Sequence, residues 1–559
     1  MRTRSVFALS FVAMTLASGP VSAEPEAHAA VPSDDARPAA PVQLDTGAPP
    51  EVMTPAAAPA SPLAAAVRLI LDQAPTGITE REAEELAAAT AYYDSHSNSS
   101  IWLTADHANA KAEALVTEIT KAGDWGLDPA DFTIPKYPGE NATPQQLAAT
   151  ETALTLTALK YARHARGGRI MHPNEVLSSY LDRAPQLQDP KLTLANLATS
   201  EDTGAYLRGL HPQHPQFEKL RQKYLSLRNA SKPNRNGVRT LSADAKRLLA
   251  NMEEWRWMPA DMGDLYVWNN IPEYMLRVMK DGQLVHTERI VAGLITKQTP
   301  IFSRPMKKIV FRPRWIVPES IKVREVWPSL LHGGGVMAQF GLHIETKDGQ
   351  LVPTKSVNWA KADIREYEVI QPPGPHAILG NFKFAFPNQH TVFMHDTQDK
   401  HLFAATQRTY SHGCMRVRNP AKLAEVLMAA DKGWDGAKIA ELVKSGPLDN
   451  AVPLDRKVMV HLTYFTAWVE DDGKVKTFRD VYGHERRITQ ALDGRWSEII
   501  KGPDHLAPVE PNIAEAAATT SSSASGVPLT RRQALAAAKP SQQAAKPFNF
   551  LSALFGGGY

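Results

Sequence analysis

The spacing of apolar residues changes from a helical to an extended pattern part-way along this chain of 559 residues, and the change limits the folds that it can adopt. Between about residues 63 and 228, apolar residues recur three and four positions apart, which predicts amphipathic helices. Turns that contain proline and glycine separate these segments. The predicted helices are Ala64 to Leu71, Arg81 to Tyr93, Asn109 to Ala122, Thr143 to Arg166 and Phe217 to Leu227. We therefore expect a helical domain at residues 63–228.

The second part of the chain has the pattern of β-strands, with two short helical stretches at Pro420 to Asp431 and Lys438 to Lys444. The predicted strands are Leu265 to Asn269, Tyr274 to Met279, Leu284 to Ala292, Lys308 to Phe311, Lys383 to Phe386, Thr391 to His395 and Val458 to Val469. A polar linker at residues 229–248 leads into a short helix around Asp244 to Trp255. The sequence thus predicts an α+β multidomain protein, in which a mainly antiparallel β domain at residues 249–490 follows the helical domain.

Both ends of the chain look different from the body. Arg2 and Arg4 precede the apolar run Val6 to Leu16 and a small-residue cleavage site that ends at Ala23, which predicts a signal peptide at residues 1–23 and an exported protein. The run is too short to favour a membrane anchor, and no later stretch approaches a spanning length. Residues 24–62 are rich in Ala and Pro and predict a disordered linker. Residues 491–505 form a C-terminal extension, and residues 506–559 a low-complexity tail.

The charge balance excludes one class of partner. The formal net charge is +3, and removal of Arg2 and Arg4 with the signal peptide lowers it to +1. Proteins that bind nucleic acids through the phosphate backbone concentrate positive charge, so no nucleic-acid partner is expected. No metal-ligand set or nucleotide-binding loop occurs either, and we expect no cofactor.

Cys414 is the only cysteine of the chain, so an exported protein of this sequence keeps a free thiol. A thiol with an ordinary pKa of about 8.5 needs a base to become a nucleophile at neutral pH, and His412 or His395 can supply it. Gly413 allows a tight turn, which can direct the amides of Gly413 and Cys414 at a developing oxyanion. The alternative is a cysteine that packs as a small buried hydrophobic residue.

The segment from His395 through Ser411-His412-Gly413-Cys414-Met415-Arg416 to Asn419 resembles the signature of YkuD-type L,D-transpeptidases. In that signature an upstream histidine precedes a Ser/Thr-His-Gly-Cys-x-Arg block. Further motifs resemble the large YcbB-like branch, in which a helical scaffold domain precedes the catalytic domain. They are Trp255-Arg256-Trp257-Met258-Pro259, Gln298-Thr299-Pro300, Trp315-Ile316-Val317-Pro318, Leu379-Gly380-Asn381-Phe382-Lys383-Phe384 and Leu462-Thr463-Tyr464-Phe465-Thr466-Ala467-Trp468. The resemblance implies a scaffold domain at residues 63–228 and an L,D-transpeptidase domain at residues 249–490.

This resemblance implies a reaction on peptidoglycan in the periplasm. Cys414 would attack the carbonyl of the diamino acid–D-alanine bond in a tetrapeptide stem, with His395 as the general base. D-alanine would leave, and the side-chain amine of the diamino acid in a second stem would resolve the thioester to give a 3→3 cross-link. An enzyme of this kind takes part in cell-wall organisation and cell shape and is a carbapenem target.

The resemblance also implies roles for the neighbouring residues. His412 and Gly413 would complete the catalytic set, with His412 shaping the pocket. A backbone carbonyl in the peptide around Asp396 would orient the catalytic histidine. Arg416, together with Ser411 and Asp396, would either support the cysteine loop or bind a substrate carboxylate.

Three departures and one insertion accompany the resemblance. The peptidoglycan-binding domain that usually separates scaffold and catalytic domains has no counterpart here. Ala377 replaces an asparagine of the family pattern, and Phe393 stands where a tyrosine is common. Residues 319–370 occupy the position of a capping subdomain, whose own core we expect to contain Trp327 and Phe340.

Other functions use the same residues. A thiol hydrolase, as a carboxypeptidase or endopeptidase, would pass the thioester to water. A related transferase would attach an outer-membrane or wall-anchored protein to peptidoglycan. A non-catalytic cell-wall scaffold is the weakest alternative, because the Cys414, His395 and His412 set is intact.

Overall fold

Helices build the N-terminal half of the structure, a computed structural model that describes residues 61–73, 77–96, 99–104, 107–139, 141–232 and 240–510. Side chains cap several of them: Thr79 with Glu82, and Thr143 with Gln146, form capping boxes. One short hairpin, β1 (Leu103–Thr104) with β2 (His107–Ala108), interrupts the helices. The helices are α1 (Pro62–Leu71), α2 (Glu80–Ser95), α3 (Ala110–Thr120), α4 (Pro144–Gly167), α5 (Pro173–Val176), α6 (Pro190–Thr199), α7 (Thr203–Gly209), α8 (Pro215–Ala230) and α9 (Ala243–Arg256).

The five predicted helices of this half are confirmed as α1, α2, α3, α4 and α8, with ends shifted by a few residues. Helix α9 contains the short helix expected after the polar linker, so residues 243–248 of the segment assigned to the linker are helical. The predicted signal peptide, most of the Ala/Pro-rich linker, residues 233–239 and residues 511–559 of the predicted tail lie outside the described residues.

A nine-stranded sheet forms the second half, in the order β13-β5-β14-β12-β11-β6-β15-β3-β4. Its strands are β3 (Leu265–Asn270), β4 (Met275–Lys280), β5 (Gln283–Gly293), β6 (Ser303–Phe311), β11 (Phe382–Ala385), β12 (Met394–His395), β13 (Thr409–Ser411), β14 (Met415–Val417) and β15 (Asn450–Thr463). Because β4 also pairs with β5, eight of these strands form a closed ring of neighbours. Most pairs are antiparallel, as predicted; β12 with β14, β13 with β5 and β15 with β3 are parallel.

The predicted strand from Val458 to Val469 is wrong in its second part. Strand β15 ends at Thr463, and a separate strand β16 (Ala467–Val469) pairs with β17 (Val475–Thr477). The backbone between them can leave the sheet because a side chain replaces the hydrogen bonds of the ladder. Asn251 Oδ1 of α9 accepts from the amides of Thr466 and Ala467 at 2.9 and 3.1 Å. A buried amide needs a partner, and here the partner is a side chain that local sequence does not indicate.

A smaller body, the cap (residues 315–371), is inserted between β6 and β11 and has its own four-stranded sheet in the order β7-β10-β8-β9. Its core includes Trp327 and Phe340, both buried, as expected. The elements of the cap are β7 (Trp315–Ile316), α10 (Glu319–Ile321), a π-helical turn (Lys322–Val326), α11 (Trp327–Leu331), α12 (Gly335–Gln339), β8 (His343–Thr346), β9 (Leu351–Val352) and β10 (Tyr367–Gln371).

Three helices remain in the described part of the chain. Helices α13 (Pro420–Lys432) and α14 (Gly436–Lys444) lie between β14 and β15 and confirm the two short helices predicted in the second half, and α15 (His484–Leu492) follows β17. Residues 506–510, the start of the predicted low-complexity tail, contact the cap: Val509 packs against its core, and Glu510 pairs with Arg365 at 3.4 Å. Within the described residues, no helix is both long enough and apolar enough to cross a membrane.

Candidate active site

Strands β12 and β14 bring the two halves of the sequence motif together. They lie side by side in parallel, with Met394 opposite Met415 and His395 opposite Arg416. His395 and Cys414 therefore line the same cavity, which has a volume of ≈ 90 Å³. Its lining residues are Trp315, Pro318, Ser320, Ile321, Ile378, Leu379, His390, Thr391, Val392, Phe393, His395, Ser411, His412, Cys414 and Arg416.

The surroundings of His395 keep its imidazole neutral and correctly oriented for a base. Its Nδ1 donates to the backbone carbonyl of Asp396 at 2.5 Å, the contact that the family resemblance implies. This bond places the hydrogen on Nδ1 and leaves Nε2 as the basic nitrogen. Burial and, to a smaller extent, the nearby Arg416 cation lower the pKa of His395 to about 3, against the opposing effect of the Asp396 carbonyl. His395 is thus neutral at neutral pH.

The Cys414 thiol is protonated at rest. Burial raises the pKa of Cys414 to about 11, although a hydrogen bond with the Phe393 backbone and the cations of Lys383 and Arg416 act to lower it. No hydrogen bond joins this thiol to the His395 ring within the described residues. The pair at rest is therefore a protonated thiol and a neutral imidazole in one cavity. The missing hydrogen bond does not argue against a catalytic pair, because such contacts are often long before substrate binds.

The loop before Cys414 is held by hydrogen bonds from both sides. Ser411 Oγ donates to the carbonyl of Cys414 at 2.5 Å and accepts from the amide of Gly413 at 3.2 Å. Thr299 Oγ1 donates to the carbonyl of Gly413 at 2.8 Å. Gly413 has φ of 112°, a conformation that favours glycine. The Gly413 amide therefore bonds Ser411 instead of pointing at an oxyanion, which differs from our expectation; the physical reason is the serine hydroxyl within its reach.

Arg416 and Asp396 make hydrogen bonds that hold the loop after His395 in place. The Arg416 guanidinium, 3% exposed, donates to Asp399 at 2.8 Å, so it binds the loop that follows His395. Asp396 accepts from the amide of Asn381 at 2.9 Å and from Lys400 Nζ at 2.7 Å. A carboxylate with these partners fixes the peptide whose carbonyl holds His395. Of the two roles left open for Arg416 and Asp396, the contacts are those of loop support.

His412 lies at the rim, where the cap meets the cysteine loop. Its Nε2 donates to Glu325 Oε1 of the cap at 3.0 Å. Sequence reasoning missed Glu325, because 87 residues separate the partners and nothing in the local pattern marks the glutamate. It also missed Lys383, whose Nζ lies 4.3 Å from the centre of the Phe393 ring. Phe393, where a tyrosine is common, thus presents the electron-rich face of a ring without a hydroxyl group to this cation.

The described residues contain no group of three or more His, Cys, Asp or Glu side chains arranged to hold a metal ion. The polar groups around Cys414 are instead bonded to each other and to the backbone. The chemistry that the arrangement can perform is acyl transfer through the thiol, with His395 as the proton acceptor.

Two family models match the chain. Residues 87–223 match a scaffold domain, and residues 264–439 match the L,D-transpeptidase catalytic domain, YkuD. Among curated proteins, the "Putative L,D-transpeptidase" of Haemophilus influenzae is 29% identical over 247 residues, which are 44% of this chain and 49% of that protein. The match thus spans about half the length of this relative.

Solved structures give more distant likenesses. An L,D-transpeptidase from Mycobacterium smegmatis is 11% identical, with 36% of this chain and 58% of that chain covered and a TM-score of 0.16. The catalytic domain of an E. faecium L,D-transpeptidase, in a structure acylated by ertapenem, is 13% identical, with 35% of this chain and 98% of that chain covered and a TM-score of 0.16.

The site at the ends of β12 and β14 lies within the matched catalytic region, and the helices α3 to α7 lie within the matched scaffold region. Residues 264–439 of this chain are thus an L,D-transpeptidase catalytic domain of the YkuD type, and a scaffold domain at residues 87–223 precedes it, an order consistent with the YcbB-like branch.

Proposed function

We propose that this protein is a peptidoglycan L,D-transpeptidase of the periplasm, which forms 3→3 cross-links between stem peptides through a thioester on Cys414. The observation that carries the proposal is the pairing of Cys414 with His395 in one cavity, where Nδ1 of the histidine is held by the Asp396 carbonyl and Nε2 is left to accept a proton. This is the arrangement of a thiol nucleophile with an oriented base.

In the first half of the reaction, Sγ of Cys414 attacks the carbonyl carbon of the diamino acid–D-alanine bond while its proton passes to Nε2 of His395. The tetrahedral oxyanion needs a donor, and the amide of Cys414, which bonds no other group in the described part of the chain, is the nearest candidate. Collapse of the intermediate breaks the amide bond. The proton on His395 then passes to the leaving amine of D-alanine.

In the second half, the side-chain amine of a diamino acid in another stem attacks the thioester carbonyl. His395 accepts the proton that the amine loses and returns it to the thiolate, which leaves as the new amide forms. One acyl bond replaces another, so no nucleotide is needed. Water in place of the amine would give hydrolysis, and an amine of a wall-anchored protein would give attachment.

Mass spectrometry of disaccharide tetrapeptides incubated with the protein tests the proposal. We expect loss of D-alanine and the appearance of a cross-linked dimer, with both products absent for Cys414→Ala and for His395→Ala. His401→Ala is the matched control, because His401 is exposed and belongs to the same loop. Tripeptide monomer without dimer would show that water is the acceptor, and no change with any variant would refute cross-linking of stems. An ertapenem adduct on Cys414, detected by intact mass, provides a second readout of acylation.

A further inference from the structure

The cap contributes a carboxylate to the active site. Glu325 lies in the π-helical turn Lys322–Val326, and its Oε1 accepts a hydrogen bond from Nε2 of His412 at 3.0 Å. Both side chains are largely shielded, with exposed fractions of 17% and 14%. Single π-helical turns occur frequently at functional sites. This contact joins the cap to the loop that carries Cys414, two residues beyond His412.

Each partner is anchored in its own body. Val323 and Val326, on either side of Glu325, are buried in the core of the cap, and Lys322 Nζ donates to the Tyr367 carbonyl of β10 at 2.7 Å. The His412 loop is held by the Ser411 contacts described above. The side chain of Glu325 can therefore reach His412 only while the cap is seated against the catalytic sheet.

The bond also determines where the hydrogen of His412 lies. An ionised carboxylate only accepts hydrogen bonds, so Nε2 of His412 must carry a hydrogen. In the neutral ring this leaves Nδ1 as the only nitrogen of His412 with a free lone pair, so Nε2 takes no part in proton transfer. The contribution of His412 is its orientation beside the reacting thiol, and Glu325 fixes that orientation.

The cavity that contains Cys414 is narrow while this contact is made, and it adjoins a second cavity of ≈ 540 Å³ through Pro318, Thr391, Val392 and Phe393. The ≈ 90 Å³ of the Cys414 cavity compares with about 300–1,000 Å³ for the usual ligand pocket. Pro318, Ser320 and Ile321 of the cap form one wall. Movement of the cap away from the sheet would break the contact between Glu325 and His412 and widen the access to Cys414, and closure would make the contact again.

We propose that Glu325 is a positioning residue of the reaction: its carboxylate fixes the His412 imidazole and ties the closed cap to the Cys414 loop. We call the contact the Glu325–His412 latch. Its kinetic consequence rests on the proposed transpeptidase function, whereas its effect on access to Cys414 does not. The two parts can therefore be tested separately.

Four substitutions in the full chain isolate the hydrogen bond from the charge. Glu325→Gln keeps the length and an acceptor oxygen but removes the charge, and Glu325→Asp keeps the charge but falls short of His412. Glu325→Ala removes both. Glu345→Ala is the matched control, because it breaks the other carboxylate–imidazole contact of the cap, His343 Nε2 to Glu345 Oε1 at 2.8 Å, within the sheet of the cap.

We expect the turnover number for cross-linking to fall about tenfold to a hundredfold in Glu325→Ala and Glu325→Asp, as for the loss of a hydrogen bond to a charged group. Glu325→Gln should retain most of the activity, and Glu345→Ala should match the wild type. KM should change less than the turnover number, because the imidazole acts on the reacting centre. If Asp rescues and Gln does not, charge alone is responsible and the positioning role is refuted.

The latch itself is measured by the labelling of Cys414, without any substrate. A bulky maleimide should label Glu325→Ala and Glu325→Asp several-fold faster than the wild type, while small iodoacetamide should show little difference. Equal maleimide rates in wild type, Glu325→Ala and Glu345→Ala would overturn the latch even if the wild type cross-links stems. Faster labelling in a protein that cross-links nothing would retain the latch and refute the proposed function instead. Circular dichroism confirms that each variant is folded.

Discussion

The catalytic pair is neutral because burial opposes charge on both of its members. A thiolate and an imidazolium in this cavity would each lose solvation, and the pKa of about 11 for Cys414 and of about 3 for His395 express that loss. Under the proposed function, the ion pair would thus form only as the thiol attacks. The cations of Lys383 and Arg416 favour the thiolate and so lower the pKa of Cys414. Arg416 also disfavours the imidazolium and so lowers the pKa of His395.

The reactivity of Cys414 should follow these shifts. Alkylation by iodoacetamide is proportional to the thiolate fraction, so its rate should rise with pH toward about 11, with no plateau near pH 8. Lys383→Met removes a cation that lowers the pKa of the thiol, so labelling at any pH below the plateau should become slower. Lys307→Met, an exposed lysine of β6, is the control. Intact-mass kinetics measure each rate, and saturation near neutral pH would contradict the high pKa.

A glycine next to the catalytic histidine is sterically required. Gly380 has φ of 55°, and a Cβ built on it would lie 2.3 Å from Asp396 Oδ2. Gly380→Ala must displace the Asp396 carboxylate, which fixes the peptide whose carbonyl accepts the hydrogen bond from His395. It also places an alanine in a left-handed conformation, which costs roughly 1 kcal/mol or more. We expect lower stability and a slower acylation of Cys414, measured by thermal unfolding and by ertapenem adduct formation.

The control for this substitution is Gly374→Ala in the same segment, where an added Cβ meets nothing within 4 Å. It should leave both the unfolding temperature and the acylation rate close to those of the wild type. Equal behaviour of the two alanine variants would mean that the Asp396 carboxylate does not determine the geometry of His395.

Among the helices and strands, the sequence predicts those whose conformation is determined by neighbouring residues along the chain. Long amphipathic helices such as α4 and α13 follow from periodicity, and strands such as β3 and β5 follow from runs rich in β-branched and aromatic residues. The motif around Cys414 follows from its residues. The strands of the cap and the break after Thr463 were not predicted, because their backbone partners lie far away in sequence. Glu325, His390 and His505 were missed for the same reason: each acquires a role only through a tertiary contact.

The end of the described chain forms a strap (residues 499–510) across four parts of the molecule. Arg487 Nε donates to the Ile500 carbonyl at 2.8 Å, and Val509 reaches the core of the cap. Between them, His505 stacks on Tyr180 with 3.7 Å between ring centres and bonds Ser179 at 2.8 Å and His390, a residue of the active-site cavity, at 2.7 Å. The strap thus connects α15, the segment after α5, the cavity wall and the cap.

Burial disfavours the charged form of His505, which makes docking of the strap pH-dependent. His390 Nε2 donates to Asp182 at 2.9 Å, and the neutral His505 ring can donate from Nε2 to His390 Nδ1 and accept at Nδ1 from Ser179 Oγ. Burial lowers the pKa of His505 to about 4, and proximity of His390 adds to this effect, while Asp504 and Asp182 oppose it.

Acid should therefore release the strap. Because the docked His505 has a pKa below the usual 6.5, the released strap binds more protons than the docked one, and docking weakens as the pH falls from about 6.5 to about 4. The protection factors of residues 499–510, which correct hydrogen exchange for its intrinsic pH dependence, should fall over this range. In His505→Gln, which does not titrate, the protection factors of the strap should be lower at pH 7 and nearly independent of pH. A wild-type strap with constant protection would contradict the prediction.

For the whole molecule, the scaffold and catalytic parts share apolar cores. Ile170, Leu177 and Leu181 of the helical half are buried in the same cluster as the main sheet. A second cluster joins α8 and α9 to β3 and β16 and includes Phe217 and Trp255. Arg183 reaches across to the Leu462 carbonyl at 2.8 Å. An interface that is part of both cores opposes independent motion of the two halves, in contrast to the polar contacts usual between domains.

Asn251 offers a test of this coupling, because its fully buried side chain in α9 makes hydrogen bonds to the catalytic half. Its Nδ2 donates to Thr466 Oγ1 at 2.9 Å, and its Oδ1 accepts from the amides of Thr466 and Ala467. Asn251→Ala leaves these buried amides without a partner, at a cost of about 1–3 kcal/mol for each. We expect the wild type to unfold in one calorimetric transition, and this substitution to move that transition down without splitting it.

Asn196→Ala provides the matched control, since Asn196 lies on α6, in the helical half, and is only partly buried. It should lower the unfolding temperature little. Two separate transitions in the wild type, with only the later or the earlier one shifted by Asn251→Ala, would show that the halves unfold independently. A single shifted transition, followed equally by near-ultraviolet signals and by the protection of Cys414 from labelling, would show that the scaffold helices stabilise the sheet that positions the catalytic cysteine.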